Sequence, residues 1–278
     1  MKDIIKKHKS KRNKLVISSM IILFIIAFCV LNNKWLTITE FTFTDKRIKN
    51  DFTIVQISDL HNASFGRDNS RLLNEIRRLE PDIIAITGDI VDASHTNIDI
   101  AVEFCNNIAE LCPSYYVTGN HETWLEPDDK NTLYSGIKDS GVTILDDESV
   151  YINVNGNRIQ MCGLDDDSLY NDTLFKLAES FDRDLPVILL SHEPQYFDDY
   201  VKAAPDLVLT GHAHGGQMRL PFVGGLVAPD QGFFPKYTEG EFTEKNTHMI
   251  ISRGLGNSVI PVRVFDPPEI VCIHVTGK

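Results

Sequence analysis

Five short strings of polar residues, each directly after a short apolar run, hold the side chains that could do chemistry in this chain. They are Ser58-Asp59-Leu60-His61, Gly88-Asp89-Ile90-Val91-Asp92, Gly119-Asn120-His121-Glu122, Ser191-His192-Glu193 and Gly211-His212-Ala213-His214. Carboxylate, amide and imidazole donors suit a cation that activates water and neutralises a phosphate. A catalytic zinc ion takes about three protein ligands, so this donor set is large enough for two ions. Because each apolar run is typical of a strand, the strings predict one metal site at one edge of a sheet.

The spacing inside the strings supports this interpretation. Asp59 and His61 are two residues apart, as are His212 and His214. We expect each pair to leave a strand end on the same side and to reach one ion. Asp89 follows a glycine that permits a tight turn, and its two carboxylate oxygens could bridge two ions.

Each string taken alone has an ordinary structural explanation. Gly-Asp and Gly-Asn are common turn sequences, and an isolated histidine is more often structural than a ligand. The strings together are harder to explain in this way, because five of the nine histidines of the chain fall inside them. We therefore interpret the set as a functional site.

From residue 51 onward, predicted strands and helices alternate, which is typical of a sheet covered by helices. The first half predicts strands over 52–57, 83–87 and 115–118, and helices over 71–79, 98–111 and 131–140. The second half predicts strands over 143–145, 150–154, 158–162, 187–190, 207–209, 248–252, 262–265 and 270–275. We expect one α/β domain in which two sheets pack face to face with helices outside.

The net charge of −12 is distributed unevenly along the chain. Residues 1–14 contain seven lysines and arginines and one aspartate, a local charge of +6, which leaves −18 for the remainder. A body this acidic would repel a nucleic-acid backbone. We therefore expect no nucleic-acid partner.

An uncharged, mostly apolar run from Leu15 to Leu31 follows this basic head. As a helix it would be roughly 25 Å long, near the short end of a bilayer span. Lys34 and Trp35 come directly after it and suit a membrane interface. A cleaved signal peptide is the alternative, although the run lacks a good cleavage site of small residues.

The order of these features predicts a single-pass membrane protein with its catalytic domain outside the cytoplasmic membrane. The expected segments are a basic cytoplasmic head over 1–14, a transmembrane signal anchor over 15–33, a linker and edge strand over 34–50, and the catalytic domain over 51–278. The expected partners are the lipid bilayer and a phosphoester substrate.

The motifs Asp-x-His, Gly-Asp-x-x-Asp, Gly-Asn-His-Glu, His and Gly-His-x-His, in this order, resemble those of the calcineurin-like metallophosphoesterases over roughly residues 51–275. The resemblance implies a four-layer α/β/β/α sandwich, with two mixed sheets flanked by helices and two divalent ions at the strand ends. The implied ligands are Asp59, His61, Asp89 and His214 for the first ion, and Asp89, Asn120, His192 and His212 for the second. Manganese, iron and zinc are all compatible with these donors.

The same resemblance implies roles for residues outside the ligand set. His121 would lie beside the scissile phosphate as general acid or electrostatic stabiliser. Asp92 would orient a ligand histidine through a hydrogen bond. Glu122 stands where many family members have aspartate.

Further motifs resemble a membrane-anchored bacterial branch of the family. They are Gly215-Gly216-Gln217-Met218-Arg219-Leu220-Pro221, Tyr237 with Gly240, and Ser252-Arg253-Gly254-Leu255-Gly256. This resemblance implies hydrolysis of a phosphodiester or pyrophosphate bond by a hydroxide bridging two ions. The substrate could be a lipid or glycolipid, such as a UDP-diacylglucosamine-like pyrophosphate.

Several alternatives stay open at this point. The protein could be a phosphomonoesterase or protein phosphatase, or a non-catalytic, metal-stabilised binding module at the cell surface. The apolar residues 220–226 with Phe233 and Phe234 could line a lip facing a bilayer, or could belong to the core. Arg253 could hold phosphate or form a structural ion pair.

Overall fold

The computed structural model of the protein describes residues 2–257 and 262–277. Met1, residues 258–261 and Lys278, which belong to the predicted head and catalytic domain, lie outside the described residues. The helices are α1 (Lys2–Asn32), α2 (Ser70–Arg78), α3 (Ile98–Ala109), α4 (Asn120–Thr123), α5 (Pro127–Asp139), α6 (Thr173–Glu179) and α7 (Phe197–Ala203). The first eight strands are β1 (Thr37–Thr44), β2 (Phe52–Ile57), β3 (Ile83–Thr87), β4 (Ser114–Val117), β5 (Thr143–Ile144), β6 (Ser149–Val154), β7 (Asn157–Gly163) and β8 (Val187–Leu190). The others are β9 (Leu207–Thr210), β10 (Arg219–Leu220), β11 (Gly224–Gly225), β12 (Val227–Ala228), β13 (Gly232–Phe233), β14 (Gly240–Glu244), β15 (Thr247–Ile251) and β16 (Glu269–Thr276).

Two six-stranded mixed sheets form the centre of the molecule. The first has the strand order β1-β16-β2-β3-β4-β5, and the second has the order β14-β15-β9-β8-β7-β6. Strands β2 to β5 run parallel, as do β7, β8, β9 and β15. Antiparallel pairs join β16 to β2, β14 to β15 and β6 to β7. The parallel strands place their carboxyl ends, and hence the residues that follow them, at one edge of each sheet.

Alternation along the strands divides the apolar side chains between separate cores. In β2, Ile54 lies in the core between the two sheets together with Ile188, whereas Val55 lies in the core under α2, α3 and α5. A third core packs Leu189 of the second sheet against Tyr200 and other residues of α6 and α7. These three cores separate four layers, which confirms the predicted α/β/β/α arrangement.

The edge strand predicted before residue 51 is confirmed. β1 pairs in parallel with β16, with Thr37 opposite Glu269 and Thr44 opposite Thr276. Its side chains alternate between half-buried and exposed along most of its length, as expected for the edge of a sheet.

The strand predicted over 262–265 is wrong. In this segment only Val264 pairs, in an isolated bridge with Met218. Phe265 has a φ of 53°, which interrupts an extended backbone. The side chain of Arg263 is buried and donates to the backbone carbonyls of Arg253 and Gly256. Helices α4, α6 and α7 and strands β10 to β14 were not predicted.

The structure does not support the predicted transmembrane helix. Within the part of the chain that the structure describes, no helix combines the length and the apolar character needed to cross a membrane. The end of α1 instead contacts the folded domain: the rings of Phe28 and Phe265 are 5.1 Å apart, and Asn32 Nδ2 donates to Arg263 O at 3.1 Å. The bilayer partner and the location outside the cytoplasmic membrane stay predictions.

Candidate metal centre

The ligand strings lie just beyond strand ends, in turns with an unusual backbone. Five of the predicted ligands have a positive φ: Asp59 (52°), His61 (44°), Asp89 (53°), His212 (64°) and His214 (46°). Residues other than glycine rarely adopt this left-handed backbone conformation. It persists where the surrounding structure enforces it, often at functional sites. The sequence spacing predicted that Asp59 and His61 lie close together because they leave a strand on the same side. The two residues do share one cluster, but sharp turns and not strand alternation bring them together.

Two glycines allow these turns to approach one another closely. A Cβ atom at Gly119 would overlap Asp89 Oδ1. A Cβ atom at Gly211 would overlap Ser58 Oγ and Asp59 Oδ2. A side chain at either position would therefore displace a predicted ligand.

The first cluster of donors consists of Asp59, His61, Asp89 and His214, with one ligand atom from each lying within 4.8 Å of the others. His61 Nε2 lies 3.2 Å from His214 Nε2 and 3.4 Å from Asp89 Oδ2. His214 Nε2 lies 3.5 Å from Asp59 Oδ1. Burial lowers the pKa of both histidines, so each ring is neutral and offers a lone pair to a metal ion.

The second cluster consists of Asp89, Asn120, His192 and His212. His192 Nε2 is 3.3 Å from Asp89 Oδ2 and 3.2 Å from Asn120 Oδ1. His212 Nδ1 is 2.9 Å from Asn120 Oδ1 and 3.2 Å from His192 Nε2. Four donor atoms thus lie close enough to bind one metal ion. Three of them come from different turns and one comes from the start of a helix.

Asp89 faces both clusters through the same oxygen. Although burial opposes ionisation, the charge and hydrogen bond of His192 lower the pKa of Asp89 well below its usual range. His192 is oriented by a 2.7 Å contact between its Nδ1 and Thr87 O, which directs Nε2 into the second cluster. Nitrogen and oxygen donors around a shared anionic carboxylate are a set that divalent transition metals bind. The residues present therefore fit the metal ions that the motifs imply.

His121 lies next to the first cluster, with its ring 4.5 Å from the ring of His61. The backbone N–H of Ala93 donates to His121 Nδ1 at 3.1 Å, which assigns the ring proton to Nε2. Asp92 Oδ1 lies 3.8 Å from His121 Nδ1 and accepts the N–H of Ser94 at 2.7 Å. Asp92 therefore adds negative charge beside His121, which differs from the predicted hydrogen bond to a ligand histidine.

Glu122 ties two ligand turns together, a role that the sequence did not reveal. Its Oε2 accepts the N–H groups of Asp89 (2.8 Å) and Gly119 (2.7 Å), and its Oε1 accepts the N–H of Val91 (3.2 Å). Burial and the nearby charge of Asp89 raise the pKa of Glu122 to about 7. The turn that carries Asp89 is thus joined to the start of α4, which carries Asn120.

Asp166 is a buried carboxyl group that interacts electrostatically with His192 of the second cluster. Its N–H donates to Thr118 Oγ1 at 3.0 Å, while its Oδ1 has no hydrogen-bond partner. Burial raises the pKa of Asp166 to about 8. A signal was available in the sequence, because Asp165-Asp166-Asp167 follows β7 closely, much as the ligand strings follow their strands.

Two arginines near the centre have structural partners. Arg253 Nη2 pairs with Glu269 at 2.9 Å, so the structural ion pair is the alternative that the structure supports. Arg263 Nη2 donates to Gly256 O at 2.6 Å and lies 3.5 Å from His214 Nδ1. No motif pointed to Arg263, although most partners of its side chain, Arg253, Gly256 and Asp266, lie within ten residues of it.

Comparisons with known proteins identify the family of the chain. Residues 52–216 match the family model of the calcineurin-like phosphoesterases. The chain is 32% identical over 238 residues to the metallophosphoesterase YkuE of Bacillus subtilis, a match covering 79% of this chain and 77% of the relative. It is 29% identical over 271 residues to a metallophosphoesterase of Aquifex aeolicus, covering 91% and 96% of the two chains. The solved structure of phosphopantetheinyl hydrolase (PptH) from Mycobacterium tuberculosis covers 72% of this chain and 88% of its own, with a TM-score of 0.49 and 13% identity. The family model and the Bacillus subtilis relative show that the protein belongs to the calcineurin-like phosphoesterases, a family of metal-dependent hydrolases.

Proposed function

We propose that the protein hydrolyses a phosphodiester or pyrophosphate bond at a site that holds two divalent metal ions. The observation that carries this proposal is Asp89 Oδ2, which lies 3.4 Å from His61 Nε2 and 3.3 Å from His192 Nε2. An oxygen shared by two donor clusters supports two ions rather than one. Asp59, His61, Asp89 and His214 would hold one ion, and Asp89, Asn120, His192 and His212 the other.

The two ions, when bound, supply Lewis acidity and lower the pKa of the attacking water. The residues of the chain supply position and a proton. His121, with its proton on Nε2, is suited to donate to the leaving oxygen. Glu122 holds the turn of Asp89 against the start of α4, so the donors are preorganised before substrate binds.

An apolar cavity of about 350 Å³ supports a substrate with an apolar group. It begins at Gly216, in the same short turn as His214, and Met218, Leu226 and Phe233 are among its lining residues. An acyl chain placed there would be removed from water at roughly 25 cal/mol per Å² of apolar surface. We therefore propose a lipid- or glycolipid-linked phosphodiester or pyrophosphate as the substrate class.

The decisive test compares hydrolysis of a chromogenic phosphomonoester, a chromogenic phosphodiester and a lipid-linked pyrophosphate by the full chain loaded with Mn²⁺, Zn²⁺ or Fe²⁺. We expect turnover of the last two substrates, its loss with chelator, and its return with metal. Asp89→Asn should lower turnover about a hundredfold, because a neutral amide replaces the anionic carboxylate that both ions would share. Asp139→Asn, which changes an exposed residue at the end of α5, is the control.

Two outcomes would contradict the proposal. A clear preference for the phosphomonoester would favour a phosphomonoesterase or protein phosphatase. A protein that binds two ions but hydrolyses none of the three substrates would favour a binding module.

A matched pair of variants tests the apolar cavity separately. Phe233→Ser removes a cavity residue, whereas Phe222→Ser removes an exposed phenylalanine that is not among the cavity residues. We expect Phe233→Ser to raise KM for the lipid-linked substrate and to leave turnover of the chromogenic diester unchanged. Equal effects of the two variants on both substrates would contradict the cavity assignment.

A further inference from the structure

Asp230 contacts a ligand histidine from outside the predicted ligand set. Its Oδ2 lies 3.1 Å from His212 Nε2, and no sequence motif pointed to it. His212 is buried, whereas the side chain of Asp230 is 63% exposed. A contact with so exposed a carboxylate would contribute little to stability. The contact is made to Nε2 of His212, whereas Nδ1 faces the second cluster. Asp230 can therefore orient the ring without occupying a ligand position.

The two nitrogens of His212 have different surroundings. Nδ1 faces Asn120 Oδ1 at 2.9 Å and His192 Nε2 at 3.2 Å, inside the second cluster. Nε2 faces only the carboxylate of Asp230 among the hydrogen bonds described for it. A neutral imidazole carries one proton, and a carboxylate beside Nε2 keeps that proton on Nε2. Nδ1 then presents its lone pair to the cluster.

The turn that carries Asp230 is held in place. It connects β12 to β13, and Asp230 itself has a φ of 55°. Gln231 Nε2 donates to Tyr237 O at 2.7 Å, and Tyr237 N donates to Gln231 Oε1 at 2.9 Å. Leu226 N donates to Met218 O at 2.9 Å on the other side of this hairpin. The carboxylate is therefore presented to His212 by a bonded turn.

We propose that Asp230 is a positioning residue that fixes the ring proton and the orientation of His212, and thereby sets the affinity of the second metal ion. The contact also joins this ion site to the wall of the apolar cavity, because Val227 and Phe233 belong to the strands on either side of Asp230. Partners of this type commonly change metal affinity 10- to 100-fold. The inference rests on the proposed two-ion site.

A third cation held by Glu193, His212 and Asp230 is the competing explanation, since their ligand atoms lie within 4.8 Å of one another. The carboxylate of Glu193 already accepts Tyr170 Oη–H at 3.0 Å and Gln195 Nε2–H at 2.7 Å. These two bonds favour Asp230 as a partner of the ring alone.

Titration calorimetry of the metal-free full chain with Mn²⁺ tests the proposal. We expect two ions to bind to the wild type, and Asp230→Ala to weaken only one of them by about 10- to 100-fold. Asp230→Asn should weaken it less, because the amide oxygen can still accept from Nε2. Asp139→Ala, which removes an exposed aspartate at the end of α5, should match the wild type. The coupled dimanganese EPR signal should disappear from Asp230→Ala at stoichiometric metal.

The proposal is overturned if Asp230→Ala binds both ions with wild-type affinity, if it weakens both equally, or if the wild type binds a third ion that the variant loses. Because the Asp230 side chain is exposed, the metal-free variant should unfold at the wild-type temperature, and a lower temperature would indicate a structural role instead. Failure of the wild type to bind two ions would refute the proposed function itself. Two ions in both proteins at equal affinity would refute only the role of Asp230.

Discussion

Replacement of Asp166 by asparagine should stabilise the metal-free protein at alkaline pH. The carboxyl group is 2% exposed, and its Oδ1 has no hydrogen-bond partner. Burial raises its pKa from 3.8 to about 8. The folded state therefore keeps a proton that the unfolded chain loses, and the stability contributed by this group is complete below pH 4 and falls as the pH rises to about 8. Asparagine is neutral at every pH and removes this loss.

The size of the effect follows from the same shift. Each pKa unit corresponds to about 1.4 kcal/mol, so Asp166→Asn should raise the free energy of unfolding at pH 9 by up to about 6 kcal/mol. At pH 4 the two proteins should be nearly equal. The assay is urea denaturation of both proteins in chelator at pH 4, 6, 8 and 9, with Asp139→Asn as the exposed control. If the stability difference between wild type and Asp166→Asn does not grow with pH, the buried carboxyl group does not have the raised pKa.

Three further predictions concern the metal centre. For His121→Gln, we expect turnover to fall about 10²- to 10⁴-fold while metal analysis still finds both ions. Loss of metal from this variant would place His121 among the ligands. Gly211→Ala should reduce affinity for the first ion in calorimetry, because its Cβ would overlap the Asp59 carboxylate, and normal affinity would contradict the close packing. Removing the ions should lower the free energy of unfolding, by about 2.7 kcal/mol for each ion relative to metal at 100 times its Kd. A calorimetric melting temperature that is the same with metal and with chelator would contradict a folded-state metal site.

The ligand residues could be predicted because their signals are local. A polar string after an apolar run marks a strand end, and parallel strands bring their ends to one edge. Asp89 and Asn120 could be predicted as ligands from this pattern alone. The backbone conformation of the ligand residues could not be predicted in this way. Asp59 and His61 lie together because of turns with positive φ and not because of strand alternation.

Contacts between distant segments were beyond the sequence patterns. Glu122 bonds to a turn about thirty residues earlier in the chain, and Asp230 meets His212 only because a short hairpin folds back over the centre. The strand predicted over 262–265 failed for the same reason. The segment has the apolar pattern of a strand. Its tertiary surroundings, however, determine the positive φ of Phe265 and the burial of Arg263.

The central claim is that one carboxylate, Asp89, is shared by two metal ions. Crystals of the full chain grown with Mn²⁺ and measured at the manganese absorption edge would test it directly. We expect two anomalous peaks about 3.5–4 Å apart, one beside His61 and one beside His192, with Asp89 between them. A single peak, or two peaks of which only one contacts Asp89, would contradict it.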